Sequence, residues 1–157
     1  MNATIDLAND SSGFWVPAQE QVERWAEQLF DYLGDDQAYS ISLRLIDEQE
    51  GAALNAQYRH KDYATNVLSF PAAVPNSIVE QMDFVPLGDI IICPAVVSRE
   101  ATEQNKQESA HWAHLLLHGI LHLLGYSHDD EADAARMEQL EIDTLQKLGL
   151  PNPYLVG

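Results

Sequence analysis

The sequence predicts a mixed α/β (α+β) fold. A small mixed sheet of about four strands should pack against about five helices, in one domain over residues 1–157. Three observations predict this. Segments with apolar–polar alternation are interleaved with segments of helical spacing. Glycine and proline fall at the joints between them. The length of 157 residues, with 46% hydrophobic and 21% charged residues, suits one core that buries ~68–70% of the extended chain's surface. Helices that separate strands favour crossover connections and a sheet covered by helices.

The elements follow in order. Residues 3–8 (ATIDLA) alternate and read as a half-buried strand. Pro17 suits the first turn of a helix. Val22, Trp25, Ala26, Leu29, Phe30 and Leu33 then recur at helical spacing, and Gly34 is the stop. Residues 39–46 alternate again, with Ile41, Leu43 and Leu45 on one face. Asp47 with Glu50 forms a candidate capping box for a short helix through Leu54 and Tyr58. Val67 to Phe70 reads as a short strand closed by Pro71, and residues 72–86 as a loop. Leu87 to Cys93 is a continuous apolar run, as in a fully buried strand. Pro94 opens a helix to about Gln104, a longer helix covers roughly 107–124, and Gly125 ends it. The last helix runs from about Glu131 to Leu148, before Gly149 and Pro151.

Composition limits the function classes. Lys and Arg number 8 and Asp and Glu 25, giving a net charge of −17. Such a surface repels long polyanions and keeps the chain soluble. From Gly51 to Val79 the only acid is Asp62, beside Arg59 and Lys61, so this stretch escapes the acidic trend. One cysteine, Cys93, excludes an internal disulfide framework and fits a reducing, cytoplasmic setting. No secretory leader pattern opens the chain, and no apolar run reaches the ~18 residues of a membrane span.

Five of the six histidines lie between 111 and 128, in HWAHLLLHGILHLLGYSHDD. At about 100° per residue, His111, His114, His118 and His122 share one stripe of a helix. His118 and His122 stand at i and i+4, adjacent turns of one face. Gly125 can take the left-handed conformation that turns the chain back, and His128 follows. The spacing H-x-x-x-H-x-x-G-x-x-H supplies three imidazole ligands and leaves a fourth position open, as in a catalytic rather than a structural zinc site. His114 with His118 is a rival pair, but it lacks a third ligand delivered by a turn. His111 and His114 are therefore read as supporting or packing residues. Asp129 and Asp130 read as a solvated cap on the last helix.

The same spacing occurs in metzincin proteases, with one departure. Gly119 stands where those enzymes carry the glutamate base, directly after the first histidine. A peptidase is disfavoured for that reason. Met137 lies in a predicted helix and reads as core rather than as a methionine turn.

Three segments together resemble the bacterial YbeY family of zinc-dependent endoribonucleases. HGILHLLGYSHDD is similar to that family's metal signature. YRHKDYATNVLSFP (Tyr58 to Pro71) is similar to its Y-R-x-K-D-x-P-T-N-V-L-S-F-P. LGDIIIC (Leu87 to Cys93) is similar to its L-G-D-I-x-I. Ser127 departs from an aspartate common in the family, Ala64 replaces the usual proline, and the acidic segment after His128 is shortened. The resemblance implies a zincin-like metal helix, with zinc at His118, His122 and His128 and a catalytic role for Arg59. It also implies single-strand-specific RNA cleavage in ribosomal RNA 3′-end maturation, ribosome assembly and quality control. The implied partners are ribosomal RNA, the small ribosomal subunit and its assembly proteins, with neither membrane nor DNA. A guanidinium at Arg59 suits this chemistry, because it can grip two phosphate oxygens of a five-coordinate phosphodiester at once. Asn66, Ser69 and Asp89 read as structural.

Nickel or cobalt suits three imidazoles as well as zinc does. Two rival functions stay open at the level of sequence. One is a zinc hydrolase of a peptide or other small substrate; the other is a non-catalytic assembly factor with structural zinc, its fourth position closed by Asp129 or Asp130.

Overall fold

A computed structural model describes residues 3–59 and 65–155. The order is β1 (Ala3–Asn9), α1 (Gln19–Leu33), β2 (Tyr39–Leu45), α2 (Glu48–Arg59), β3 (Val67–Pro71), α3 (Asn76–Val79), β4 (Val85–Ile92), α4 (Pro94–Glu103), α5 (Glu108–Leu123) and α6 (Glu131–Lys147). The four strands form one sheet in the order β1-β2-β4-β3. β1, β2 and β4 run parallel, and β3 is antiparallel to β4 on the edge. The α+β class, the single core and the four strands agree with the sequence reading.

One face of the sheet makes the core. Ile5, Ile41, Leu43, Leu45, Ile90 and Ile92 meet Trp25, Leu29 and Phe30 of α1 and Trp112, Leu116 and Ile120 of α5, with Met137 and Leu145 of α6 behind. Burying such side chains contributes roughly 1.5–3 kcal/mol each. Met137 is thus core, as its helical context predicts. The opposite face is open along a paired row: Asp6 faces Ser42, and Ser42 faces Asp89. All three are exposed. β4 is therefore not buried on both sides, contrary to its apolar run: Ile90 and Ile92 point inward and Asp89 outward.

Four local readings are corrected. Pro17 is buried one residue before the N-cap Ala18, outside the helix. The Asp47 and Glu50 carboxylates are engaged away from the predicted box: Asp47 Oδ1 accepts from the Ser12 N–H at 3.0 Å, and Glu50 Oε1 pairs with Arg44 Nη2 at 2.7 Å. Residues 76–79 of the expected loop form the one-turn helix α3, raising the helices to six among the described residues. β4 begins at Val85, and the register shifts between Ser40 and Ile41, which face Pro86 and Gly88 and leave Leu87 as the extra residue of a bulge. Gly88 is required there, because a Cβ would lie 2.4 Å from the Phe70 carbonyl oxygen.

The stop signals hold. Gly34 and Gly149 both have positive φ and close α1 and α6 with the backbone bonds of a Schellman turn. Among the described residues, no helix is long and apolar enough to cross a membrane.

Candidate metal centre

α5 lies across β3 and β4, and its sequence explains how closely. Gly119 faces the sheet, where a Cβ would meet Ile90 Cδ1 and Ser69 Oγ at 3.2 Å each. Ser69 Oγ donates to the Gly119 carbonyl at 3.3 Å, tying the edge strand to the helix. A glutamate at 119 would be driven into that packing, so the position of the missing metzincin base is a close-approach position here. The neighbouring stripe of α5 carries His114, His118 and His122 toward a cleft of about 730 Å³ that Ser69 also lines.

Gly125 has φ +101°. Its N–H donates to the His122 carbonyl and that of Tyr126 to the Leu121 carbonyl, both at 3.0 Å. This is a Schellman end to α5. It reverses the chain and brings His128 back over the cleft, as the spacing predicts. His118 Nε2 lies 3.1 Å from His122 Nε2 and 3.0 Å from His128 Nε2. Four tetrahedral ligands ~2.0–2.1 Å from zinc sit ~3.3 Å apart, so the three nitrogens are spaced as ligands of one ion would be. The three rings form a group able to hold a metal. No carboxylate among the described residues joins it within the same reach.

The donors suit a cation that favours imidazole. Burial, aided by the neighbouring His118 and His128, pushes His122 down to about 4, so the ring is neutral at neutral pH and has a lone pair to give. His128 is exposed, which leaves one side of the group open to the cleft. Asp130 caps α6, its Oδ1 accepting from the Asp133 N–H at 2.8 Å, and Asp129 lines the cleft. The expected cap is therefore Asp130.

The other two helix histidines have partners of their own. His111 Nε2 meets Glu100 Oε1 at 3.0 Å, and Asn66 Nδ2 donates to the same oxygen at 2.9 Å. Glu100 is pulled below its ordinary range: burial opposes ionisation, and the bonds from His111 and Asn66 outweigh it. His114 Nε2 is bonded to Glu141 Oε1.

Glu141 is the residue that sequence reasoning missed. It is 0% exposed, the only fully buried acid among the described residues. Its Oε2 lies 3.1 Å from His118 Nδ1, and its Oε1 accepts from the Tyr154 hydroxyl at 2.7 Å. Burial raises its pKa, but the bonds from His114 and His118 outweigh burial and hold it at about 2. The available signal was its place in α6: Met137, Glu141, Thr144 and Leu145 recur at helical spacing and all are buried, so an acid interrupts a core-facing stripe.

On the far side of the cleft, Tyr58 near the end of α2 meets Phe70 of β3 edge-on, ring centroids 5.2 Å apart. α2 ends one residue later at Arg59, whose side chain lies outside the described part of the structure, as do Lys61 and Ala64. Asn66 and Ser69 line the cleft while bonding Glu100 and Gly119, so their expected structural use is realised.

Residues 7–149 match the family model described as Endoribonuclease YbeY. The chain belongs to the YbeY family. A Pseudomonas fluorescens protein named Endoribonuclease YbeY is 53% identical over 139 residues, 88% of each chain. One from Pseudomonas putida is 52% identical over 150 residues, 96% of this chain and 90% of its own length. One from Nitrosococcus oceani is 48% identical over 154 residues, 98% of each chain. The solution structure of TM1509 from Thermotoga maritima shares the fold at a TM-score of 0.58 and 24% identity, covering 92% of this chain and 91% of that one. YbeY membership agrees with the resemblance drawn from the three sequence segments.

Proposed function

We propose that this protein is a zinc-dependent, single-strand-specific endoribonuclease. In this reading it acts in the cytoplasm on ribosomal RNA, in 3′-end maturation, ribosome assembly and quality control. The observation that carries it is the convergence of His118, His122 and His128 Nε2 atoms at an open cleft, in a chain of the YbeY family. His118, His122 and His128 hold the ion. When bound there, zinc supplies Lewis acidity toward a phosphodiester and its attacking water.

The chain's own residues supply the rest. Three neutral rings add no charge of their own, so a bound ion stays positive, offset only in part by Glu141 behind His118 and Asp129 at the cleft. A positive ion favours an anionic substrate over a neutral amide. Tyr58, 56% exposed and backed by Phe70, offers a ring face beside the cleft on which an unpaired base can stack. Arg59 follows Tyr58 in α2, and its guanidinium is assigned to two phosphate oxygens, offsetting charge as the phosphorus becomes five-coordinate. The open fourth position supports a catalytic rather than a structural ion. The net charge of −17 argues that small-subunit proteins supply much of the affinity for RNA.

Short single-stranded RNA and short peptides, offered side by side to the zinc-loaded protein, test this reading. RNA cleavage without peptide cleavage is expected, and Arg59→Ala should lose RNA cleavage while keeping its zinc and fold. Peptide cleavage alone, or an Arg59→Ala variant as active as the parent, would overturn it.

A further inference from the structure

The carboxylate behind the histidines has a geometry that the metal group alone does not explain. Glu141 is sealed between α5 and α6, and its two oxygens are divided. Oε2 faces His118 Nδ1 at 3.1 Å. Oε1 takes the Tyr154 hydroxyl at 2.7 Å and is also bonded to His114 Nε2. An ionised carboxylate is acceptor-only, so each of these partners must present a proton. Neutral imidazole has one proton. If Glu141 holds it on Nδ1 of His118, Nε2 is left as a lone pair. That Nε2 is the atom facing both His122 and His128, at 3.1 and 3.0 Å. The opposite tautomer would aim a proton into the middle of the group and leave Glu141 Oε2 without its donor.

Tyr154 reaches Glu141 from the C-terminal tail, which is itself held. Lys106 Nζ donates to the Pro153 carbonyl at 2.8 Å, and the Tyr154 N–H donates to Asn152 Oδ1 at 2.8 Å. Between Pro151 and Tyr154 the chain thus has its own anchors, and the hydroxyl fixes the oxygen opposite the one that serves His118.

His114, His118 and Glu141 also have ligand atoms close enough for a second cation. Such an ion would have to displace the His118 proton from Nδ1. Its other ring nitrogen already serves the first group, so imidazolate would be required. Hydrogen bonding satisfies the same atoms without that cost.

We propose that Glu141 is the positioning residue of the metal centre: it keeps the His118 proton on Nδ1 and so presents Nε2 to the ion, while Tyr154 from the C-terminal tail steadies the carboxylate. This rests on the reading of His118, His122 and His128 as metal ligands. A purely structural Glu141 would affect folding but would not set the tautomer.

The test uses the full chain. Long-range ¹H–¹⁵N spectra of the metal-free parent should show His118 protonated at Nδ1 and bare at Nε2. Glu141→Gln should mix the tautomers and weaken zinc binding ~10–100-fold in competition with a chelator, with the circular dichroism of the parent. Tyr154→Phe, which deletes only a hydroxyl on a partly exposed ring, should weaken binding in the same direction by less. An Nε2–H tautomer in the parent would overturn the proposal, as would a folded Glu141→Gln that holds zinc as tightly as the parent. Two ions per parent chain, one of them lost in Glu141→Gln, would overturn it in favour of a second site. If Glu141→Gln fails to fold, the parental tautomer and Tyr154→Phe decide. A parent that takes up no zinc at all sinks the metal-site reading itself, a result distinct from zinc binding that ignores Glu141.

Discussion

His118 stands where three parts of the chain meet: its own helix, the returning loop at His128 and the buried Glu141 of α6. Its spacing to His122 and His128 was legible because a metal site of this kind imposes a short linear pattern. Glu141 was not legible as a partner, because it lies 23 residues from His118 and only folding brings the two together. His122→Ala should abolish tight metal binding. It should also remove the stabilisation that metal confers on the folded state, read as the loss of a zinc-dependent rise in Tm. The pH dependence has a definite sign. His122 is pushed from 6.5 down to about 4, so the metal-free folded state resists its protonation. Stability from this group is complete above pH 6.5 and is lost as pH falls toward 4. Glu141, held at about 2 against an ordinary 4.5, adds stability present above pH 4.5 and lost toward pH 2. Urea unfolding of the metal-free protein should therefore show falling stability from pH 6.5 downward, with the upper part of the slope flattened in His122→Ala.

Element boundaries were read well where a backbone requirement marks them. Gly34, Gly125 and Gly149 all adopt positive φ at helix ends, and Pro94 starts α4. Helix α3 escaped because a single turn leaves too few residues for a period to show. The outward Asp89 was obscured because the run LGDIIIC is apolar on both sides of it, and only pairing with Ser42 on β2 shows which face is open. Strand order was not legible either, since a parallel sheet's neighbours are set by how helices pack rather than by adjacent turns. Gly125 gives the sharpest test at this scale. No atom would crowd a Cβ there, but its φ of +101° suits glycine alone. Gly125→Ala should destabilise the protein by ~1–2 kcal/mol and weaken zinc binding, because the turn that presents His128 is strained. Denaturant titration and chelator competition on the same variant check both parts; a loss of stability with unchanged zinc affinity would separate the turn from the site.

Across the whole molecule, charge and site pull in opposite directions. The chain is strongly acidic, and several of its few cations are already engaged: Arg44 with Asp10 and Glu50, and Arg99 with Glu48. The composition implies this repulsion and does not say where it is relieved. Binding to naked RNA should therefore be weak, with a shallow salt dependence reflecting few phosphate contacts. Binding to small ribosomal subunits should be tighter, as sedimentation at several salt concentrations would show. The central claim is an exchangeable ion, held by three imidazoles with one face free, that carries RNA cleavage. Its most direct test is single-stranded RNA cleavage by the purified protein before chelation, after chelation and after stoichiometric zinc is restored. Cleavage should disappear with the metal and return with about one zinc per chain, whereas cleavage that persists in fully metal-free protein would contradict the account.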